Sequence, residues 1–272
     1  MNTLLITVNP QRQRDQRVMG PGGGIFIKMT RVFAVLAVLM TAGFGVQAAD
    51  TASGGEEGIA LAIIYDTSGS MREYVPAGDG GTLPKYVIAN KALNAIVDRI
   101  SQYASNSPAN APRKIEAGLF IFKDPTAVAV VPFGAFDATA IKDWVHGFSH
   151  PTGATPLGNS IRVASKSVLD SSLTHKHIVV ITDGINTSGP LPQAVIPGIK
   201  KSAAKKGGGD VFFHFVAFDV DAKVFDPVKR QGATVLAAAN EQQLNSQLQF
   251  IFERKILLED EEPSRPVAVQ PK

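Results

Sequence analysis

Three oxygen-bearing side chains follow one apolar segment of the sequence at alternate positions. Residues 59–65 have the length and composition of a buried strand, and Asp66, Ser68 and Ser70 come directly after them. Open α/β sheets bind ligands beyond the carboxyl ends of their strands, which is where these three residues should lie. One carboxylate and two hydroxyls, without sulfur or imidazole, suit a hard divalent cation such as Mg²⁺, Mn²⁺ or Ca²⁺.

Two further segments carry oxygen-bearing side chains of the same kind. A second apolar run, residues 178–182, is followed by Asp183, and the loop at residues 153–158 contains Thr155. The pattern Asp-x-Ser-x-Ser is short, so on its own it arises by chance in many sequences. Three such segments in this order, two of them at strand ends, form a more specific signal. Together they resemble the metal-ion-dependent adhesion site of the von Willebrand factor type A family, over residues 57–258.

The resemblance implies a fold, a metal site and a mode of binding. The implied α/β fold is Rossmann-like and doubly wound. It has a mostly parallel six-stranded sheet in the order 3-2-1-4-5-6, with one antiparallel edge strand and flanking helices, and the metal lies at the carboxyl edge. A bound Mg²⁺, or else Mn²⁺ or Ca²⁺, would accept a Glu or Asp carboxylate from a partner protein, without catalysis. The implied metal ligands are Asp66, Ser68, Ser70, Thr155 and Asp183.

Each of these five residues also fits a simpler structural role. The two aspartates fit turns at strand ends, and short serine side chains often bond to nearby backbone. Thr155 followed by Pro156 fits the N-cap and the first position of a helix. We expect the metal site because five oxygen ligands in three suitably placed loops rarely arise together.

The order of the apolar segments predicts the elements that position these loops. Strands alternate with helices, which is typical of a parallel sheet with helices on both faces. Segments 115–122 and 127–133 flank a short turn and predict a hairpin, which supplies the antiparallel edge strand. We expect residues 71–83 to form a loop and the helix over residues 191–205 to be interrupted at Pro197.

The two ends of the chain are expected to lie outside the domain. A short positive segment, an apolar run and small residues before Ala48 predict a secretory signal peptide that starts at Met29. The alternative is an uncleaved membrane anchor. With cleavage near Ala48, we expect a periplasmic or secreted bacterial protein without a stable membrane span in its mature form. The expected boundaries are 1–28 for a disordered or untranslated extension, 29–48 for the signal peptide, 49–56 for a linker, 57–258 for the domain and 259–272 for a disordered tail.

Composition and charge exclude several other classes of protein. Five of the 27 basic residues but only one of the 24 acidic residues lie in the first 48 positions, which leaves 22 basic and 23 acidic residues. The net charge of +3 therefore comes from these first 48 residues, and no nucleic-acid-binding face is expected. The chain has no cysteine, which excludes disulfides and thiolate chemistry.

The sequence lacks several common catalytic motifs. Neither Ser68 nor Ser70 lies in a Gly-x-Ser-x-Gly nucleophile elbow, and there is no Walker loop or dinucleotide fingerprint. His175 and His177 lack the spacing of a zinc site, and we expect them at the surface or at a strand end. Two alternative functions remain open: a scaffold or chaperone-like accessory subunit of an envelope complex, and a divergent metal-dependent hydrolase.

Overall fold

A six-stranded sheet forms the middle of the fold, and its strands come from segments spread over the whole domain. The computed structural model describes residues 55–107 and 113–257. Their strands are β1 (Glu56–Tyr65), β2 (Tyr74–Pro76), β3 (Thr82–Pro84), β4 (Ile115–Lys123), β5 (Thr126–Ala135), β6 (Leu173–Thr182), β7 (Val211–Phe218) and β8 (Thr234–Ala238). The main sheet has the order β5-β4-β1-β6-β7-β8, and all neighbours pair in parallel except β4 and β5. This confirms the predicted fold class and strand order.

Helices cover both faces of this sheet. They are α1 (Lys85–Ser105), α2 (Ala138–Gly147), α3 (Leu157–Asp170), α4 (Pro192–Lys206), α5 (Asp226–Lys229) and α6 (Glu241–Ile251), with 3₁₀ turns at Gly69–Arg72 and Ala222–Phe225 and a π-helix at Phe252–Leu257. One face packs against α1, α2, α6 and the π-helix, and the other against α3, α4 and α5. Alternate residues of β1 enter the two apolar layers, so Leu61 lies in the first and Ala62 in the second.

Two elements differ from the sequence-based expectation. The predicted loop at residues 71–83 contains part of a 3₁₀ turn and the antiparallel β2–β3 ribbon, and Val75 is buried against α1 and the main sheet. Helix α4 continues through Pro197 instead of breaking there. Val195, Ile196 and Ile199 are buried, and their packing offsets the backbone hydrogen bond that the proline cannot make.

The prediction for His177 was wrong. This residue lies in the middle of β6 with its side chain fully buried, and its Nδ1 is 3.2 Å from Nε2 of His214 on β7. Parallel pairing of the two strands brings both rings to the same sheet face, where they stack. We call His177 and His214 the histidine pair.

The predicted signal peptide, the N-terminal extension, most of the linker and the acidic tail lie outside the described residues. Within residues 55–107 and 113–257, no helix combines the length and hydropathy needed to cross a lipid bilayer.

Candidate metal centre

The carboxyl ends of β1 and β6 meet and bring two of the predicted ligand loops together. The backbone N–H of Asp66 donates a 3.0 Å hydrogen bond to the carbonyl of Ile181, so the chain leaves both strands at the same point. Asp66, Ser68 and Asp183 are all buried, although each lies in a loop. Burial of polar loop residues is costly unless they bind each other or a ligand.

A chain of hydroxyl and carboxylate contacts connects the first loop to the third. Ser68 Oγ and Ser70 Oγ are 3.1 Å apart, and Ser70 Oγ donates to Asp183 Oδ1 at 2.8 Å. Ser68 precedes the 3₁₀ turn Gly69–Arg72, but its hydroxyl makes no capping bond with that turn. The simpler role as a cap is therefore not observed for Ser68.

Both oxygens of Asp66 accept hydrogen bonds from the protein. The backbone N–H of Ser68 donates to Oδ1 at 2.7 Å, and Thr182 Oγ1 donates to Oδ2 at 2.6 Å. The first of these bonds closes a local turn, which is the simpler structural role that the sequence also allowed for Asp66. Burial and the nearby charge of Asp183 nevertheless raise the pKa of Asp66 to about 6. The site therefore concentrates negative charge that a cation would stabilise.

The second loop is held against the third through its backbone. Thr155 N–H donates to Thr187 Oγ1 at 2.8 Å, and Thr187 N–H donates to the carbonyl of Thr155 at 3.0 Å. The helix cap falls on Pro156 without a side-chain bond, so the Thr155 hydroxyl is not used for capping. A Cβ added to Gly184 would lie 3.5 Å from Thr155 Oγ1 and 4.0 Å from Ser70 Oγ. The structure thus brings all five predicted residues to one polar cluster.

The composition of this cluster fits a hard divalent cation. Two neighbouring oxygens bound to one Mg²⁺ at about 2.1 Å lie about 3 Å apart, which is close to the 3.1 Å between Ser68 Oγ and Ser70 Oγ. In the described parts of the chain, no three His, Cys, Asp or Glu side chains gather as a metal-binding group. A cation at this site would therefore depend on the hydroxyls of Ser68, Ser70 and Thr155 together with the two aspartates.

Lys85 lies at this site and was missed by the sequence analysis. It is the first residue of α1, it is 2% exposed, and its Nζ is 3.1 Å from Asp183 Oδ2. Glu73 Oε2 and Asp219 Oδ2 also contact it, at 2.7 and 3.0 Å. Burial acts to lower the pKa of Lys85, but hydrogen bonds to Glu73 and Asp219 and the charge of Asp183 outweigh it and raise the pKa. We call these four residues the lysine–carboxylate cluster.

Two threonines that support the ligand loops were also missed. Thr182 binds Asp66, and Thr187 holds the backbone of Thr155. Neither position had a distinguishing signal in the sequence, because threonine is common both in strands and in loops. A lysine at the start of a helix is less usual, since the positive end of the helix dipole disfavours it. That feature could have drawn attention to Lys85.

The sequence comparison agrees with this geometry. A sequence model described as the von Willebrand factor type A domain matches residues 61–186, which include all five predicted ligands. Combined with the sheet order and the polar cluster at its carboxyl edge, this match identifies the class. Residues 61–186 therefore belong to a von Willebrand factor type A domain. No curated protein matches the sequence significantly.

Solved structures show the same fold at low sequence identity. A D319A mutant of the PilB minor pilin from Streptococcus sanguinis is 16% identical with a TM-score of 0.54, covering 77% of this chain and 64% of the pilin. The vWF domain of the type V pili tip protein Mfa5 from Porphyromonas gingivalis is 11% identical with a TM-score of 0.53. The match covers 72% of this chain and 94% of that domain. Proximal thread matrix protein 1 from the mussel byssus is 16% identical with a TM-score of 0.50, and the match covers 73% of this chain and 46% of the byssus protein. This chain thus spans less than two thirds of the pilin and of the byssus protein.

Proposed function

We propose that this protein is a metal-dependent protein-binding module, without enzymatic activity, that acts outside the cytoplasm. Asp66, Ser68, Ser70, Thr155 and Asp183 are the proposed ligands of the cation, which we take to be Mg²⁺ or, alternatively, Mn²⁺ or Ca²⁺. The observation that carries this proposal is the hydrogen-bonded chain from Ser68 through Ser70 to Asp183. It joins the hydroxyls and a carboxylate that the resemblance assigns to the metal.

The protein's own groups favour binding over chemistry. A bound cation would supply an electron-poor centre that accepts an oxygen from an outside carboxylate. Ser68, Ser70 and Thr155 offer neutral oxygens, so they leave most of the cation's charge available to the partner. Hydrogen bonds from Thr182 and Ser68 orient the Asp66 carboxylate, and Ser70 and Lys85 orient that of Asp183. Ser70 does donate to Asp183, but Ser70 and Lys85 together already occupy both oxygens of that carboxylate.

The surface beside the site supports a protein as the partner. Ile185 and Leu191 are 54% and 50% exposed, although they are large apolar residues near the loop of Asp183. Together with Leu157 and Val224 they line a cleft of about 300 Å³. Exposed apolar groups next to a polar centre are typical of protein interfaces. The proposed partner therefore presents a Glu or Asp with an apolar side chain beside it.

The proposed location is the periplasm or the exterior of the cell. It depends on the signal peptide predicted to start at Met29 and to be cleaved near Ala48. The fold likeness to two pilus proteins is compatible with this location. Sequencing the amino terminus of the protein recovered from the periplasm or culture medium tests it, and an intact residue 29–48 segment in the mature protein would contradict cleavage.

Isothermal titration of the protein with Mg²⁺ and with Mn²⁺ tests the metal site. The double variant Ser68→Ala, Ser70→Ala should bind at least about 100-fold more weakly, since changes outside the ligand shell already cost metal sites 10- to 100-fold. Ser246→Ala is the matched control, because Ser246 lies on the exposed side of α6 and bonds only to its own helix. No binding heat from the unmodified protein would contradict the proposal.

Partner capture separates the proposed function from its alternatives. A metal-dependent module should retain its partner in Mg²⁺ and release it in EDTA, and the double serine variant should retain nothing in either. A scaffold or chaperone-like subunit should retain its partner in both conditions. Turnover in a phosphatase or esterase assay that is lost in Ser68→Ala would instead favour the metal-dependent hydrolase.

A further inference from the structure

The lysine–carboxylate cluster places a fixed positive charge inside the proposed metal centre. Lys85 Nζ contacts three carboxylates from three segments: Glu73 after the 3₁₀ turn, Asp183 after β6 and Asp219 after β7. The lysine side chain is 3% exposed, whereas those of Glu73 and Asp219 are 65% and 41% exposed. The buried end of the cluster is therefore the contact between Lys85 and Asp183.

Several features show that this arrangement is enforced by the fold. A lysine at the start of α1 opposes the helix dipole, and burying an ammonium group is costly unless carboxylates surround it. Asp219 has a φ of 54°, a left-handed conformation that is uncommon outside glycine, although aspartate adopts it more often than most residues. The backbone N–H of Lys85 also donates to the carbonyl of Glu73 at 2.8 Å, which fixes the start of the helix beside that residue.

The position of Lys85 has two opposite electrostatic consequences for a cation site. Asp183 uses Oδ1 to accept from Ser70 and Oδ2 to accept from Lys85, so both its oxygens are held in place. The ammonium charge also relieves repulsion between Asp183 and Asp66 when no cation is bound. The same charge repels a cation that approaches Asp183, because both lie within a few ångströms of that carboxylate.

We propose that Lys85 is an internal counter-ion of the metal centre, which keeps the metal-free site folded and weakens its affinity for divalent cations. As a positioning residue it fixes Asp183 while it competes with the cation for that carboxylate. The proposal rests on the proposed function, because it assumes that Asp183 belongs to a cation site. It predicts a protein whose partner binding depends on the free Mg²⁺ concentration, since a weakened site does not stay saturated.

The variant Lys85→Met tests this role, with Lys91→Met as the matched control. Lys91 lies on the same helix and pairs with Glu241, but it is exposed and outside the metal centre. In EDTA, Lys85→Met should melt several degrees below the wild type. Titration with Mg²⁺ should then show at least about tenfold tighter binding, together with a larger rise in melting temperature. Lys91→Met should match the wild type in all three measurements.

The direction of the affinity change separates a counter-ion from a purely structural residue. A structural lysine would leave the cation affinity unchanged or lower when it is replaced, and either result would overturn the proposal. If Lys85→Met does not fold in EDTA, recovery of its native circular dichroism on addition of 10 mM Mg²⁺ supports the proposal, and failure to recover overturns it. A wild type that binds no cation contradicts the proposed function. In that case, cation binding by Lys85→Met would still support the counter-ion, and no binding by either protein would overturn it.

Discussion

Two groups of buried polar side chains lie on the same sheet and differ in charge. The candidate metal centre follows the carboxyl ends of β1 and β6, whereas the histidine pair lies in the amino half of β6 and β7. His177 precedes Thr182 by five residues, which corresponds to about 16 Å along an extended strand. The metal centre contains carboxylates and an ammonium group, and the histidine pair contains two imidazoles.

Burial shifts the pKa values of these two groups in opposite directions. It raises the pKa of Asp66 to about 6 in the metal centre, because the carboxylate loses water and faces Asp183. It lowers the pKa of His214 to about 4, and it lowers that of His177 well below the usual range. The histidine pair is therefore neutral near pH 7 and behaves as part of the core. The candidate metal centre remains charged, so a bound cation would lower its free energy.

Replacement of Asp66 should have the largest effect on the metal centre. We expect Asp66→Ala to weaken Mg²⁺ binding at least about 1,000-fold, or about 4 kcal/mol, because a buried carboxylate is removed from the ligand set. Its free energy of unfolding in EDTA should stay the same or rise, since repulsion with Asp183 disappears. Titration calorimetry and urea denaturation measure the two effects. A Mg²⁺ affinity equal to that of the wild type would show that Asp66 is not a ligand of the cation.

Replacement of His177 should show the reverse pattern. We expect His177→Ala to lower the free energy of unfolding by about 3 kcal/mol, because it leaves a cavity in the core beside Phe212 and His214. Mg²⁺ affinity should stay within about twofold of the wild type. His150→Ala provides the control, since His150 is exposed in a loop. A large loss of Mg²⁺ affinity in His177→Ala would show that the two groups are coupled.

Acid should destabilise the protein through the histidine pair. Each of the two imidazoles has a lower pKa folded than unfolded, so below about pH 6.5 the unfolded chain binds protons that the folded protein excludes. Their contribution is complete above pH 6.5 and is lost as the pH falls towards 4. For His214 alone, this loss between pH 6.5 and 5 is about 2 kcal/mol. Nearby charges also lower these pKa values: Lys255 acts on His214, and His214 and His175 act on His177.

Denaturation of the wild type and of His214→Phe at pH 7 and pH 5, both in EDTA, isolates this contribution. The variant should lose less stability than the wild type over this interval. Asp66 acts in the opposite direction, because its raised pKa favours the folded state as the pH falls through about 6. That effect is common to both proteins and cancels in the comparison. Equal losses in wild type and variant would disprove the role of His214.

The smallest expected effect comes from a residue that orients a ligand without binding the cation. Thr182→Val removes the hydroxyl that donates to Asp66 Oδ2 while it keeps the shape of the side chain. We expect about tenfold weaker Mg²⁺ binding, or about 1.4 kcal/mol. Thr174→Val near the amino end of the same strand is the matched control. If both variants bind Mg²⁺ as the wild type does, the orientation of Asp66 does not limit affinity.

The sequence carried enough information to predict the sheet and the residues of the first and third loops. Apolar runs of strand length alternate with helical segments, and Asp66 and Asp183 each follow one of those runs. Such patterns depend on neighbours in the chain, so they can be read without knowing the fold. The family resemblance then added Thr155, whose loop has no strand before it.

Contacts between distant segments could not be predicted in this way. Lys85 and Asp183 are 98 positions apart, and the two imidazoles of the histidine pair are 37 positions apart on different strands. Local patterns placed His177 at a strand end and missed Lys85, because nothing near either residue in the chain indicates its partner. The chain's local chemistry therefore specified the strands and the oxygen-bearing side chains at their ends. Strand pairing together with the packing of α1 on the sheet determined which charges face those side chains, because groups so far apart in sequence meet only in the folded protein.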